Sequence, residues 1–392
     1  MEYIKTDKYF AQVAGSLEAH AIAELEKLGA KVLQEVPRGI RFSCNKATLY
    51  RIVYCSRLLQ RVLAPLISFQ CHSEKYLYSQ ANKAIDWTAL FSPDQSFSID
   101  SNVSNSNISH SLYAGQLLKD AICDSFRSKY GRRPDFKTQD ADISFNLHIR
   151  ENWASIALDL TGISMHKRGY RMGANLAPLQ ETLAAAMIVL SEWKGDKPLL
   201  DPLCGSGTIL AEALMHYCHI PAGYLRKDTG LAFMPDFDSK LNDEVRLKAN
   251  SLMIPLPKGL ISGSDISVGS IAYSKENLAK LPGGENVDLR VSRFQDLAKR
   301  SGRCIITNPP YGVRMGNDES TKTLYHELGD FLKQKCPDSE AYILCGNKEL
   351  VPELHLRAHW KKSLKNGDLD VKLAKVIIKG TNKHQDIALP QA

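Results

Sequence analysis

"LLDPLCGSGTILAEA", residues 199–213, decides the fold of the longer half of this chain. An apolar run ends in Asp201, a turn follows with Gly205 and Gly207, and apolar residues recur at helical spacing from Thr208. The form is a strand, an Asp-x-x-x-Gly-x-Gly-Thr turn, and a helix. Two glycines permit a tight turn and close approach of a ligand to the backbone, and the helix presents its first N–H groups to that turn. A dinucleotide fingerprint would need a third glycine where Leu210 stands, and a P-loop would need a lysine that the stretch lacks. A plain glycine-rich β–α turn would carry the same features.

Outward from this turn the pattern repeats. Apolar runs that read as strands cover 198–201, 259–265, 287–291, 304–307, 341–345 and 372–379, with helical spacing over 208–218, 268–281 and 323–335. Strands alternating with helices predict right-handed βαβ units and a mostly parallel sheet, a Rossmann-like α/β domain. The character changes near 174–178. Before it, strands at 8–13, 31–41 (a pair broken at Pro37-Arg38-Gly39), 61–67, 96–103, 143–150 and 153–159 mix with helices at 17–28, 47–55, 75–85 and 111–129. That half reads as α+β, in two small units.

Composition sets bounds. The chain has 392 residues, 44% of them apolar, enough for two or three domains with ordinary cores. Its longest apolar run, near 183–190, is far short of the ~20 residues that cross a bilayer, and charges at Lys5, Asp7 and Lys8 exclude a signal-peptide core, so a cytosolic protein with no membrane partner is expected. Nine cysteines without a C-x-x-C pair indicate neither a disulfide framework nor a metal site. The net charge of +7 is concentrated in residues 1–175 and fits a nucleic-acid partner without requiring one.

The turn at 201–208 closely resembles the S-adenosylmethionine (SAM) loop of class I methyltransferases. Asp265, ending the second strand in "LISGSDIS", then takes the position of an acid that accepts both ribose hydroxyls. Asp296, in "RFQDLA" after the third strand, falls where such enzymes hold the adenine amine; a solvated loop aspartate would look the same. Next comes "CIITNPPYGVRMG", residues 304–316. Pro309 and Pro310 stiffen the loop, and it presents the Asn308 amide oxygen, the Pro309 carbonyl and the Tyr311 ring at the end of a strand. Two acceptors beside a flat ring suit a planar, amine-bearing base, whereas a Pro-Pro turn in which Tyr311 merely packs is the simpler alternative. A base inside a duplex cannot reach such a loop, so the target must be unpaired or flipped.

Taken together, "LDLTGISMHKRGYR" (158–171), "APLQETLAAA" (177–186) and "NPPYGVRMG" (308–316) resemble the THUMP-containing RNA guanine-N2 methyltransferases. "LKDAICDSFRSKYGRRP" (118–134) resembles their THUMP segment. The likeness spans nearly the whole chain. It implies a ferredoxin-like unit at 1–64, a THUMP domain at 65–160, a basic linker at 161–176 and a class I methyltransferase domain at 177–392. It also implies SAM as cofactor, with Pro178, Thr182, Leu203, Thr208 and Ile266 joining Asp201, Gly205, Gly207, Asp265 and Asp296 around it. The implied substrate is a guanine amine in RNA, with large-subunit ribosomal RNA ranked ahead of transfer RNA. Lys129, Arg132, Arg133, Lys167, Arg168, Arg171, Arg226 and Arg314 are the expected RNA contacts. The stretch "HIPAGYLRKDTGLAFMPDFD" (219–238) is an insertion expected to border the substrate cleft, or equally to be a packing flap.

Overall fold

The computed structural model describes residues 1–171, 179–226, 229–311, 318–346, 349–367 and 369–380. It forms two compact units, Met1–Arg171 with His219–Met253, and Met172–Cys218 with Ile254–Ala392.

In the first unit the chain runs α1 (Glu2–Thr6), β1 (Lys8–Val13), α2 (Glu18–Leu28), β2 (Lys31–Val36), β3 (Gly39–Ser43), α3 (Lys46–Cys55) and β4 (Leu59–Gln70). It continues through α4 (Glu74–Ala84), β5 (Ser96–Ser104), α5 (Ser111–Tyr130), β6 (Asp135–Phe136), β7 (Ile143–Arg150) and β8 (Trp153–Asp159). Two helix starts follow capping chemistry: Asn45 Oδ1 accepts from Thr48 N at 2.9 Å ahead of α3, and Ser73 Oγ accepts from Tyr76 N at 3.3 Å ahead of α4. All eight strands form one sheet in the order β2-β3-β1-β4-β8-β7-β5-β6. The long β4 is antiparallel to both β1 and β8, so the expected division between residues 64 and 65 falls inside a strand common to both halves. Its Pro65 stands where the β4–β8 register shifts, between Pro65 and Ile67, a place where a missing N–H breaks no regular ladder bond. Under the sheet Trp87, Phe97, Phe126 and Phe145 are fully buried, and Phe91 packs against the last three.

The second unit holds α6 (Glu181–Ser191), β9 (Leu199–Asp201) and α7 (Thr208–Tyr217), then, after α8 (Ser239–Asn250) of the first unit, β10 (Ile261–Asp265), α9 (Val268–Leu278), β11 (Asp288–Val291) and β12 (Cys304–Thr307). It ends with α10 (Asp318–Lys335), β13 (Ser339–Cys345), α11 (Leu350–Glu353), β14 (Ala358–Asn366) and β15 (Leu369–Ile378). The sheet order is β11-β10-β9-β12-β13-β15-β14, with β9 to β13 parallel and β15 antiparallel to both its neighbours. The order reverses at β9, and open α/β sheets bind ligands beyond the carboxyl ends of the strands at such a reversal. One core cluster, including Leu200, Ile305, Leu328, Leu332, Ile343, Ala374 and Val376, joins this sheet to α10 and α11.

The insertion packs within the first unit. Gly223 N donates to Tyr54 O at 2.7 Å, Tyr54 Oη to Asn250 Oδ1 at 2.9 Å, and Asp238 N to Tyr50 Oη at 2.9 Å. The Tyr50 and Phe237 rings lie 5.6 Å apart. With α8 the insertion makes up the segment 219–253 of the first unit, whose two ends meet, since Ile254 N donates to Cys218 O at 3.0 Å. All nine cysteines are free thiols. No helix among the described residues is long and apolar enough to cross a membrane, and these residues include no cluster of three or more His, Cys, Asp or Glu suited to a metal ion.

Candidate functional site

The carboxyl ends of β9, β10 and β12 carry Asp201, Asp265 and the start of the Asn-Pro-Pro-Tyr loop. Between β9 and α7 the backbone turns at Gly205 (φ +53) and Gly207 (φ +80), a region open to glycine at no steric cost. A Cβ on Gly205 would meet nothing within 4 Å, so the turn faces open space where a ligand can come against the backbone. No side chain caps α7, whose N-cap position is Gly207. Asp265 holds the turn from beneath: Gly205 N donates to its Oδ2 at 2.9 Å and Ser267 N to its Oδ1 at 2.9 Å. Each carboxylate oxygen retains a lone pair for a hydroxyl. Next to it Ile266 is 67% exposed, an apolar surface beside a polar cradle, which suits an adenosyl group.

Two residues that set this geometry escape a sequence reading. Ser274 Oγ donates to Gly205 O at 2.7 Å and Asn277 Nδ2 to Ser206 O at 2.9 Å, so one face of α9 ties down the carbonyls of the turn. Both side chains are buried, and the only hint in sequence is a pair of polar residues spaced i, i+3 on the face that otherwise packs inward. Thr182 and Thr208 are buried as well, Leu203 is half-buried, and Asp296 is exposed at the end of a short 3₁₀ turn after β11. Pro178 lies outside the described residues.

Asp201 is buried, and its Oδ1 accepts from Leu203 N at 3.1 Å and from Thr307 Oγ1 at 2.7 Å. Its role is thus to close the β9 turn onto β12. Burial pushes its carboxyl up to about 7, against those two hydrogen bonds, with the Asp265 charge adding to the rise. The folded state therefore keeps a proton that the unfolded chain releases near pH ~4, and stability falls as pH climbs from there to about 7, by roughly 1.4 kcal/mol per pH unit. Asp201→Asn keeps an oxygen for both donors and has no charge. Denaturant unfolding at pH 5 and pH 7 is expected to show that loss in the parent chain and not in the variant; parallel losses would refute it.

After β12, Asn308 is half-buried, Pro309 buried and Pro310 exposed. The Tyr311 hydroxyl donates to Asn308 Oδ1, and its ring rests against the Cα of Gly346.

The expected RNA contacts divide. Lys129, Arg132, Arg133 and Lys167 are exposed, with Arg132 in a surface pair with Asp94 at 2.7 Å. Lys119 and Lys129 lie over the exposed rings of Phe136 and Tyr130, each 5.4 Å from the centroid. Arg168 and Arg226 must be withdrawn as RNA contacts, because they are only 1% and 5% exposed. Arg168 donates to Met165 O at 2.8 Å and Arg57 O at 2.6 Å, and Arg226 to Thr161 O at 2.6 Å and Ile163 O at 2.8 Å. Buried guanidinium groups survive by such pairing with carbonyls, and here they clasp the insertion and the 161–171 segment within the first unit. Arg171 is half-buried, and Arg314 lies outside the described residues.

Three family models match the chain. Residues 168–375 match an RMKL-like methyltransferase domain, 71–159 a THUMP domain and 8–63 an RlmL ferredoxin-like domain. A presumed RNA methyltransferase of Synechocystis sp., slr0064, is 36% identical over 94% of this chain and 96% of its own length. The ribosomal RNA large subunit methyltransferase K/L of Photobacterium profundum is 34% identical over 95% of this chain, which spans 53% of that relative. Among solved structures, SMU.472, a presumed methyltransferase complexed with S-adenosylhomocysteine, superposes with a TM-score of 0.82 at 26% identity over 95% of this chain and 98% of its own. With a ferredoxin-like and a THUMP segment ahead of a class I methyltransferase fold, the chain belongs to the RMKL-like methyltransferase family.

Proposed function

We propose that this chain is a SAM-dependent methyltransferase acting on the exocyclic N2 amine of a guanine in RNA, large-subunit ribosomal RNA before transfer RNA. The observation that carries the reading is the convergence, at the reversal of one sheet, of a glycine turn held by Asp265 with the acceptors of Asn308 and Pro309. The residues fit the cofactor: Gly205 opens the backbone, Asp265 offers lone pairs to the ribose, and Ile266 offers an apolar face for the adenine, with Asp296 proposed for its amine. When bound, SAM supplies an electrophilic methyl carbon. Asn308 Oδ1 and the Pro309 carbonyl hold the substrate N–H groups so that the nitrogen lone pair is aimed, and they share the positive charge that grows on nitrogen. No covalent bond from protein to substrate is needed.

Grip on RNA is assigned to the first unit. Lys129, Arg132 and Arg133 follow one another around the end of α5 beside Tyr130 and Phe136, a basic surface with aromatic platforms that suits phosphates and unpaired bases. Methylation of a DNA adenine or a protein glutamine amide uses the same kind of loop but no RNA grip. A cytosolic site of action goes with the free thiols. Transfer of tritium from labelled SAM to separate pools of ribosomal RNA, transfer RNA and DNA, followed by nucleoside analysis, decides among these; label in DNA alone would overturn the reading.

Asp265→Ala removes a charged acceptor from the turn and from the ribose together. SAM is expected to bind ten- to a hundredfold more weakly, since hydrogen bonds to charged groups contribute about 1.5–3 kcal/mol. An unchanged dissociation constant by calorimetry would place the cofactor elsewhere.

A further inference from the structure

The Tyr311 ring lies over the end of the strand next to its own. A Cβ built on Gly346, the residue after β13, would stand 2.2 Å from Tyr311 Cγ, 2.4 Å from its Cβ and 2.7 Å from its Cδ1. No real side chain tolerates such distances, so the ring occupies the space that any residue other than glycine would fill. Cys345, which precedes Gly346, and Tyr325 are both fully buried; burial, then the charges that Cys345 and Tyr311 would carry, hold the Tyr325 phenol protonated, and burial and then Cys345 do the same for Tyr311. Seated there, Tyr311 delivers its hydroxyl to Asn308 Oδ1.

We propose that Gly346 is a positioning residue for methyl transfer: its missing side chain seats Tyr311, whose hydroxyl fixes the Asn308 carboxamide and leaves the second lone pair of Oδ1 for the substrate amine. The terminal torsion of an asparagine is broad, and a free carboxamide would sample many directions. An amide oxygen has two lone pairs, so it can accept from Tyr311 and from an amine at once. This role rests on the proposed function and differs from the expected one for Tyr311, which was to stack on the target base.

The two roles separate by substitution in the full-length chain. Tyr311→Phe keeps the ring and loses the hydroxyl. Gly346→Ala keeps the hydroxyl and displaces the ring. If Tyr311 acts through Asn308, each single variant lowers kcat on ribosomal RNA by about tenfold or more, the loss expected when an oriented group at the reacting centre is released. KM for RNA should stay within about twofold, as should the SAM dissociation constant, and the double variant should be no slower than the slower single one, as for groups acting as a unit. Full kcat in Tyr311→Phe, or losses that multiply in the double variant, would overturn the proposal. A crystal structure of Gly346→Ala gives a readout free of activity: Tyr311 is expected off its seat with Asn308 in another rotamer, and an intact Tyr311–Asn308 bond would refute the role. A wild type that labels no RNA overturns the proposed function instead, and the crystal structure still decides the seat.

Discussion

Asn308→Ala is expected to reduce the rate of methyl transfer at saturating RNA by a factor on the order of a hundred to a thousand, while SAM binds as before. The argument is local. Asn308 follows β12 immediately, and its backbone is held by the proline after it and by the strand before it, so truncation to Cβ leaves the loop in place. What disappears is the side-chain acceptor that precedes the Pro309 carbonyl, and with it the partner of the Tyr311 hydroxyl. Removing one preorganised group at a developing charge typically costs about 2.7–4 kcal/mol of transition-state stabilisation. The cofactor cradle is spared because the turn is held by other bonds, from Gly205 N to Asp265, from Ser274 to Gly205 O and from Asn277 to Ser206 O. The measurement is single-turnover transfer of labelled methyl to the accepting RNA, with SAM affinity from calorimetry on the same preparation. A variant within about threefold of the parent rate would remove Asn308 from the reacting centre. Loss of SAM binding alongside rate would mean that the loop serves the cofactor site and not the amine.

The placement of residues that break an apolar pattern is legible in the sequence, and the structure sets them at the carboxyl ends of β9, β10 and β12. Gly205, Gly207, Asp265 and Asn308 each stand where an apolar strand stops, and a strand end that carries glycine, acid or amide has few structural uses. The fold of the α/β half followed for the same reason, since each β–α period is signalled by its own apolar run. Edge strand β14 was missed: Lys361, Ser363 and Lys365 alternate with Lys362 and Leu364, so the run reads as a solvated loop, though charged outward positions are how exposed edges avoid pairing. Arg168 and Arg226 were misread by the opposite error. Charge in a sequence says nothing about whether carbonyls such as those of Arg57 and Thr161 wait for it across 111 or 65 residues of chain. Ser274 and Asn277 belong to the same class, visible only once the turn they hold has a position in space.

Removing the first 171 residues is expected to give a chain that does not fold cleanly, and excising the insertion as well is expected to restore it. The expectation follows from where residues 219–253 belong. They are part of the first unit, and Ile220, Leu231 and Met234 in them are at most 3% exposed. A fragment from residue 172 onward keeps these apolar side chains but loses Tyr50 and Tyr54, which contact the insertion, and the Thr161 and Ile163 carbonyls that accept from Arg226. Each apolar side chain returned to water forfeits about 1.5–3 kcal/mol, and an apolar patch of that kind promotes aggregation. The second-unit sheet, by contrast, has its own core, and the ends of the insertion are already adjacent, with Ile254 N donating to Cys218 O at 3.0 Å. Joining residue 218 to residue 254 through two glycines therefore closes the gap with a short turn. Three chains decide the matter: the full chain, residues 172–392, and residues 172–392 without 219–253. The second should be recovered mostly insoluble, whereas the third should be soluble, show a circular dichroism spectrum of mixed helix and strand, and bind SAM within about threefold of the full chain. It should bind RNA weakly and with little salt dependence, because the log–log slope scales as about 0.7–0.9 per phosphate neutralised and Lys129, Arg132 and Arg133 are gone. If residues 172–392 fold and bind SAM with the insertion in place, the insertion does not depend on the first unit for its structure. If the excised chain binds RNA as tightly as the full chain, the grip on RNA lies in the catalytic unit and the basic surface at the end of α5 has another use.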